Sequence, residues 1–501
     1  MTIRKKSFLN WILDFIERHE VLIVILCGVA LLRLPGLFEP NRYADEDIYL
    51  TIGQGLRRGL LLYRDIYDNK TPLIYMVAAL AGNVMWFRFI LLIWNLINVG
   101  LINGLAKKIV KNKWGVILAT ILFAFFSTIP LLEGEIANGE IFMIMPVTAA
   151  IYLLFTKSGQ ITENKMRFLW AGILWSIGFL FKSPPVVELF GFVFFYMIFL
   201  SSSFSDFFKK ILNRRIWLLG LGFSIPILVS VIYFYLNGIG DLYLKSALLQ
   251  NFSYLSSWGG GSTKSSIFSG GLVTRGTIMV GVLIATFGLR KKIGNYFGFI
   301  SIWAITALFG AMLSGRPYPH YLIELVAPFS LLLSLIIFEK KGIWLVFGST
   351  LFGLLIVSLV RYNFWYYKSL PYYVNFVSYV FGQKTKKQYY QFWGDNVLRD
   401  YQVSAYITKF TQKNDHIFVW GTEPAIYAIS NRTPVTKYTV AYHIFDFSAQ
   451  GEVANILMKA KPKVIIVIKD EAKFSELAGL LASNYALAAT YGNTAVYQII
   501  K

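Results

Sequence analysis

A short, charge-dense segment between apolar stretches carries the side chains best suited to chemistry. Its two clusters lie about twenty residues apart and consist of Asp45, Glu46 and Asp47, then Arg64, Asp65, Asp68 and Lys70. Ionisable groups held beside a bilayer usually mark a site or an ion path. A carboxylate there could accept the proton of a hydroxyl group, and a cation could hold an anionic phosphate.

Simpler roles for these two clusters stay open. The three acids begin an amphipathic stretch and could cap an interfacial helix, where they would offset the positive end of its dipole. Arg64, Asp68 and Lys70 could form a solvated turn held by local ion pairs. Lys70 nevertheless precedes Thr71 and Pro72, where the chain returns to apolar sequence, and that depth suits a lipid-linked phosphate.

Three further residues stand at the ends of apolar runs. Glu140 precedes the apolar run 141–145, and a carboxylate at the mouth of a membrane helix more often points toward a site than into lipid. Lys182 precedes a Ser-Pro-Pro turn and could equally extend to lipid headgroups. His320 follows Arg316 in a turn; a lone His is more often structural than catalytic, but this one could donate to phosphate.

The composition predicts a polytopic membrane protein. The chain has 501 residues, of which 56% are hydrophobic, and a mean hydropathy of +0.55. Many apolar runs approach the roughly 20 residues that cross a bilayer as a helix. The net charge of +21 lies largely in short loops between these runs, which is the positive-inside pattern and argues against nucleic-acid binding. A single cysteine, Cys27, allows no intramolecular disulfide.

The basic loops set the expected topology. If they are cytoplasmic together with the N-terminus, the long run 72–106 makes one net crossing, as an interfacial piece near 72–86 and a span near 87–106. About eleven crossings result, and thirteen would need short spans that the sequence does not reveal. Five outer segments follow, and they place the candidate residues on one face: 39–71, 132–140, the stretch at 182–185, 238–270 and 314–321. The Gly- and Ser-rich stretch within 238–270 predicts a mobile loop.

The composition changes from about residue 363. Tyr and Trp crowd residues 363–395, which predicts an aromatic connector at the membrane surface. Residues 396–501 alternate helical and strand patterns, with strands expected at 416–420, 434–440 and 464–468. They predict a small α/β domain after a membrane module of residues 1–362. An odd number of crossings would place this domain outside the cytoplasm.

The residues singled out above occur in an order that resembles a known group of membrane enzymes. They are similar to the bacterial members of the protein O-mannosyltransferase and lipid A aminoarabinose transferase superfamily, which are glycosyltransferases of family 39 type with the GT-C fold. The resemblance covers roughly residues 21–330. Its pieces are Asp45-Glu46, Gly59 leading to Tyr63-Arg-Asp65, Asp68-Asn-Lys-Thr-Pro-Leu73, Asn138-Gly-Glu-Ile-Phe142, Lys182 and His320-Tyr321.

The resemblance implies a GT-C membrane enzyme with about 11 to 13 transmembrane helices in the plasma (inner) membrane. Such an enzyme transfers a hexose or pentose from a polyprenyl-phosphate donor to a lipid, glycan or protein acceptor on the outer face. It implies three catalytic acids: Asp45, which engages the acceptor, Glu46 as its companion, and Glu140 in the second loop. The donor-phosphate ligands that it implies are Lys70, Arg64, Lys182, His320 and Tyr321.

Some features of the family pattern are altered or undecided. Thr71 stands where the family more often has the first proline of a Lys-Pro-Pro pattern. No cofactor is implied with certainty, no metal ligand is identified, and dependence on a divalent metal stays open because only some GT-C enzymes need one. Neither the sugar nor the acceptor can be read from these residues.

A transporter or flippase for a lipid-linked saccharide is the main alternative. Charges near the membrane midplane and inverted repeats would favour transport. The charges of this chain lie at helix ends, and the sequence has no convincing repeat. A membrane scaffold that presents the C-terminal domain is a third hypothesis, which the concentrated acids disfavour.

Overall fold

The computed structural model describes residues 8–250, 271–339 and 341–500, with side chains from residue 19 onward. The Gly- and Ser-rich stretch of the predicted loop 238–270 lies outside the described residues. The mobility of that stretch therefore stays a prediction.

Helices occupy most of the chain up to residue 361, as its apolar runs predict. They are α1 (Phe8–Arg33), α2 (Ala44–Arg57), α3 (Leu73–Ala81), α4 (Val84–Ile109), α5 (Lys113–Phe126), α6 (Gly139–Leu154), α7 (Lys165–Phe181), α8 (Pro185–Phe194), α9 (Phe204–Ile211), α10 (Arg214–Leu236), α11 (Gly240–Tyr243), α12 (Gly271–Gly288), α13 (Arg290–Ala311), α14 (Ile323–Glu339) and α15 (Gly342–Arg361). A π-helical turn extends α8 to Phe199.

The chain is a multi-pass membrane protein. In its described part, seven helices are long and apolar enough to cross a membrane, and α5, α6 and α8 with its extension are shorter apolar helices. With the 17 residues of α7, this gives eleven apolar helices among the described residues, equal to the predicted number of crossings. The actual number of crossings stays a prediction.

The long apolar run 72–106 divides near the predicted point. α3 has only 9 residues, about 14 Å of helix, which is too short to cross a bilayer. Gly82 then turns the chain with a φ of 74°, a left-handed conformation that favours glycine. Asn83 caps α4 by accepting a hydrogen bond from the backbone N–H of Trp86 at 3.0 Å.

The helices pack closely where small residues face each other. A methyl group on Gly172 of α7 would lie 2.1 Å from the carbonyl oxygen of Leu219 in α10. One on Gly222 of α10 would lie 2.1 Å from the carbonyl oxygen of Leu169. Lipid gives helices no hydrophobic reason to associate, so such close backbone contact is how membrane helices gain packing energy.

The C-terminal part has α/β structure, as predicted. Its elements are α16 (Ser369–Val380), α17 (Lys386–Gln391), α18 (Asp395–Phe410), β1 (Phe418–Trp420), α19 (Ala425–Ser430), α20 (Ala441–Asp446), α21 (Gln450–Ala460), β2 (Val464–Ile468), α22 (Ser475–Asn484), β3 (Tyr485–Tyr491) and β4 (Thr494–Ile499). The strand order is β1-β2-β4-β3; β1 and β2 are parallel and the other pairs antiparallel. Alternating side chains of β1 and β2 bury opposite faces of this sheet.

The strand expected at 434–440 was wrong. This segment makes only isolated bridges, one from Pro434 to Ile417 and one from Tyr438 to Tyr67 in the loop between α2 and α3. The carbonyl oxygen of Lys437 accepts a hydrogen bond from the backbone N–H of Tyr67 at 2.8 Å. The segment therefore joins the C-terminal region to the loop that carries Asp68 and Lys70.

Candidate active site

Four helix ends hold most of the predicted site residues. Asp45 lies in the first turn of α2 and Glu140 in the first turn of α6. Lys182 directly follows α7, and His320 lies in the 3-10 turn before α14. Helix ends suit polar residues of a membrane protein, because they lie near the bilayer surface and their backbone groups need partners.

Lys70 lies between two carboxylates of unequal exposure. Its Nζ is 3.3 Å from Oδ2 of Asp68 and 3.8 Å from Oδ1 of Asp45. The Asp68 side chain is 1% exposed, whereas that of Asp45 is 31% exposed. Tyr49 donates its hydroxyl to Oδ2 of Asp45 at 3.4 Å. Asp45 is therefore the carboxylate of this cluster that an incoming molecule could contact.

Asp68 anchors this cluster although the sequence analysis did not assign it a role in the site. It accepts hydrogen bonds from the backbone N–H of Asn69 at 2.8 Å and from the Tyr75 hydroxyl at 2.9 Å. Burial alone would raise the pKa of Asp68, but the Lys70 charge and the hydrogen bonds from Asn69 and Tyr75 hold it below its ordinary value. Asp68 therefore stays ionised and fixes the position of the Lys70 ammonium.

A second lysine lies in a parallel arrangement. Lys182 donates to Oε1 of Glu140, and its Nζ is 4.5 Å from the centroid of the Tyr321 ring. Nε2 of His320 is 3.6 Å from the same oxygen of Glu140, while its Nδ1 contacts Glu133. The structure thus brings Glu140, Lys182, His320 and Tyr321 together, as the resemblance implied.

Tyr43 connects this second cluster to the start of α2. Its hydroxyl donates to Oε2 of Glu133 at 2.9 Å and lies 3.2 Å from Nδ1 of His320. Burial and the Glu133 charge raise the pKa of Tyr43 well above its ordinary value, so the phenol stays protonated. The Asp45 charge raises the same pKa, so Asp45 of the first cluster and Glu133 beside the second act on one phenol.

Glu46 occupies a different position from its neighbour Asp45. It is 1% exposed and forms a two-pronged ion pair with Arg88, at 3.0 Å from Nε and 2.5 Å from NH2. Its Oε1 also accepts the backbone N–H of Ala137 at 2.7 Å. Both carboxylate oxygens are thus engaged away from solvent. This geometry favours a positioning role over the catalytic role that the resemblance implied.

Further buried ion pairs join the loop before α2 to the loop before α6. Arg42 donates to Glu39 at 2.8 Å and to Glu135 at 2.9 Å, and Arg88 lies 3.3 Å from Glu39. Burial, opposed by Arg42, raises the pKa of Glu135 to about 7. Because these contacts join segments distant in sequence, they fix how Asp45 faces the loop that precedes Glu140.

Arg64 lies apart from this network. Its guanidinium pairs with the adjacent Asp65 at 2.8 and 2.9 Å, and its side chain is 50% exposed. Lys70, Lys182, His320 and Tyr321, in contrast, are half-buried or buried beside other residues of the site. The structure therefore gives Arg64 the solvated ion pair that the sequence had left open as its simpler role.

Some residues of the site gave no local signal in the sequence. Arg88 lies inside an apolar run, and His443 lies in the C-terminal region, where its Nε2 is 3.6 Å from Oδ1 of Asp68. Only the three-dimensional contacts reveal them. In the described part of the chain, no group of three or more His, Cys, Asp or Glu side chains is arranged to hold a metal ion.

One family model matches the chain, and only at its C-terminal end. The model is described as the C-terminal domain of the competence-induced protein Ccs4, and it covers residues 399–501. No curated protein matches the chain by sequence. The match therefore concerns the α/β region and leaves the helical part to comparison by structure.

Solved structures share the fold of almost the whole chain. ArnT from Cupriavidus metallidurans bound to undecaprenyl phosphate matches with a TM-score of 0.56 at 12% identity, over 96% of this chain and 98% of that chain. The apo state of the same protein matches with a TM-score of 0.55 at 12% identity, over 95% of this chain and 97% of that chain. The oligosaccharyltransferase of Archaeoglobus fulgidus has a TM-score of 0.46 at 13% identity, over 97% of this chain and 75% of that chain. The ArnT likeness shows that this chain has the GT-C fold.

Proposed function

We propose that the protein is a membrane glycosyltransferase that moves a sugar from a polyprenyl-phosphate donor to a lipid, glycan or protein acceptor. The observation that carries the proposal is Asp45, a half-exposed carboxylate held 3.8 Å from the Lys70 ammonium at the first turn of α2. A base beside a phosphate-binding cation is the minimum that such a transfer needs. The fold shared with ArnT, whose structure holds undecaprenyl phosphate, supports the same donor class.

In the proposed reaction, Asp45 binds the acceptor hydroxyl and takes its proton. The acceptor oxygen attacks the anomeric carbon from the side opposite the phosphate. The bond between that carbon and the phosphate oxygen breaks, and polyprenyl phosphate leaves with the electron pair. The configuration of the sugar is inverted. No oxidant or nucleotide is needed, because phosphate is a good leaving group once cations neutralise it.

Two lysines are placed to hold the leaving phosphate. Lys70 is oriented by Asp68, and Lys182 is oriented by Glu140 and the Tyr321 ring. Each is about 20% exposed on its side chain, so each could exchange a carboxylate contact for a phosphate oxygen. Glu140 then acts by positioning Lys182, while Glu133 and Tyr43 hold His320.

We place the active site and the C-terminal domain on the outer face of the plasma membrane. The basic loops lie at the opposite helix ends, with Lys107 and Lys108 in the last turn of α4 and Arg88 near its first turn. The positive-inside rule assigns such lysines to the cytoplasm. The site then faces the compartment that contains the envelope acceptors.

Turnover in detergent micelles separates this proposal from transport. Purified protein is given radiolabelled polyprenyl-phosphate sugar with extracted lipid, glycan and protein fractions, and the release of polyprenyl phosphate is followed. Micelles have no two compartments, so a flippase would release none. We expect label in one acceptor fraction with equal release of polyprenyl phosphate. Intact donor in every fraction, with donor translocation across vesicles, would establish the flippase instead.

A further inference from the structure

We infer that the C-terminal region supplies a positioning residue, His443, which acts on Lys70 through Asp68. The effect on donor binding rests on the proposed function, whereas the contact between His443 and Asp68 does not depend on it. His443 lies in α20, far along the chain from the outer loop that it meets. Its Nε2 is 3.6 Å from Oδ1 of Asp68, and the residue is 3% exposed.

The contact is held in place by an aromatic cluster around Tyr67. The Tyr67 ring lies edge-on to His443 at 5.2 Å, to Phe447 at 5.1 Å and to Tyr438 at 6.3 Å between ring centroids. Its backbone N–H donates to the carbonyl oxygen of Lys437 at 2.8 Å. Asp68 is the next residue, so the docking of Tyr67 sets the position of Asp68 against the imidazole.

Packing alone does not explain a histidine at this position. The cluster around Tyr67 is aromatic, and a phenyl ring would fill a similar volume there. The imidazole differs because one of its nitrogens faces a fully buried carboxylate. A buried carboxylate needs several polar partners, and His443 is one of the four that surround Asp68, with Asn69, Tyr75 and Lys70.

The imidazole limits how tightly Asp68 holds Lys70. The charged groups that act on His443 are Asp68, Lys70, Asp446 and Asp45. Burial and the Lys70 charge outweigh these acids and lower the pKa of His443, which favours the neutral ring. Its Nε2–H dipole can then point its positive end at Asp68 across 3.6 Å, a distance longer than a hydrogen bond. Without this nearby dipole, Asp68 would draw more strongly on the Lys70 ammonium, which would then be less free to meet a phosphate oxygen.

Three substitutions at one position test this role. His443→Phe keeps the ring and removes the polar contact. His443→Gln places an amide N–H near the position of Nε2, while His443→Asn is too short to reach Asp68. His416→Phe is the matched control, because His416 is exposed in the same region and contacts Thr433 at 2.9 Å.

Two measurements read the state of Lys70. The first is its rate of labelling by a water-soluble amine-reactive ester, quantified by mass spectrometry against the exposed Lys463. The second is the preference for polyprenyl phosphate over uncharged polyprenol in binding. We expect His443→Phe and His443→Asn to lower both by about three- to tenfold, because a neutral partner of a charged group is lost. His443→Gln and His416→Phe should stay close to wild type.

The outcomes separate this inference from the proposed function. Labelling of Lys70 needs no sugar donor, so it tests the role of His443 whether or not the protein binds a donor. A wild type that shows no preference for polyprenyl phosphate over polyprenol would count against the proposed function alone. If His443→Phe does not fold, the Gln and Asn variants carry the comparison. Equal labelling of Lys70 in those two variants would overturn the positioning role of His443.

Discussion

Replacing Glu46 should cost stability, whereas replacing its neighbour Asp45 should cost activity. The two acids are adjacent in sequence, but Glu46 forms a buried ion pair with Arg88 and Asp45 is open to solvent. Glu46→Ala and Glu46→Gln test the first half of this statement. Asp45→Asn is the matched control, since it removes the same charge one residue earlier.

The magnitude follows from the contacts that each variant loses. Glu46→Ala removes the bonds at 3.0 and 2.5 Å to Arg88 and the bond at 2.7 Å to Ala137. Breaking a buried pair from one side costs about 3–5 kcal/mol, because the partner charge stays buried. Glu46→Gln keeps an oxygen for Arg88 Nε and for Ala137, and Arg88 keeps Glu39 at 3.3 Å. We therefore expect a loss of about 1.5–3 kcal/mol for this variant.

The free energy of unfolding is measured in mixed micelles with increasing fractions of sodium dodecyl sulfate. Tryptophan fluorescence follows the transition. Turnover is measured below the transition, where each variant is folded. We expect Glu46→Gln to keep at least a third of wild-type turnover and Asp45→Asn to keep wild-type stability. A Glu46→Gln variant as stable as wild type but inactive would refute the positioning role and restore Glu46 to catalysis.

Lys70→Met should weaken binding of polyprenyl phosphate by about ten- to a hundredfold relative to polyprenol, because one charge-assisted contact is lost. An unchanged preference for polyprenyl phosphate over polyprenol would indicate that Lys182 binds the phosphate instead. Arg64→Gln should leave that preference unchanged, because Arg64 pairs with Asp65 at the surface; a loss as large as that of Lys70→Met would contradict this. Burial and Glu423 raise the pKa of Asp400 to about 7, so this carboxyl binds a proton more tightly in the folded protein than in the unfolded chain. The stability that the protonated carboxyl contributes is therefore lost as pH rises from about 4 to 7. The stability of Asp400→Asn relative to wild type should therefore rise by about 2–4 kcal/mol from pH 4 to pH 8 in the same micelle assay, and a pH-independent difference would exclude the shift. A reporter fused after Lys501 should be active only outside the cytoplasm; cytoplasmic activity would overturn the topology.

Local sequence predicted the residues whose surroundings are set by their own helix ends. Lys70, Glu140 and Lys182 border apolar runs, and a charge at such a border faces either the headgroups or a site. Gly82 and Asn83 likewise end one helix and begin the next where the long run 72–106 had to divide. These features depend on neighbours within a few residues, which a single sequence contains.

The roles of other residues depend on contacts with partners distant in sequence, which a single sequence does not reveal. Nothing near Glu46 distinguishes it from Asp45, because its partner Arg88 lies in another helix. Residues 434–440 have the composition of a strand, but the backbone of Lys437 instead accepts a hydrogen bond from Tyr67 in the loop between α2 and α3. His443 had no signal at all, since the carboxylate that it meets belongs to a different part of the chain.

In the proposed reaction, Asp45 performs the chemistry while other groups hold the donor. The most direct test compares Asp45→Asn with Asp47→Asn, a neighbouring acid whose pKa burial raises well above its ordinary value and which accepts a hydrogen bond from Asn41 at 2.5 Å. An amide resembles the neutral form of Asp47, so that variant should turn over like wild type. Asp45→Asn should lower kcat by about a hundredfold or more with undiminished affinity for polyprenyl phosphate. Wild-type turnover by Asp45→Asn would show that Asp45 does not take the acceptor proton.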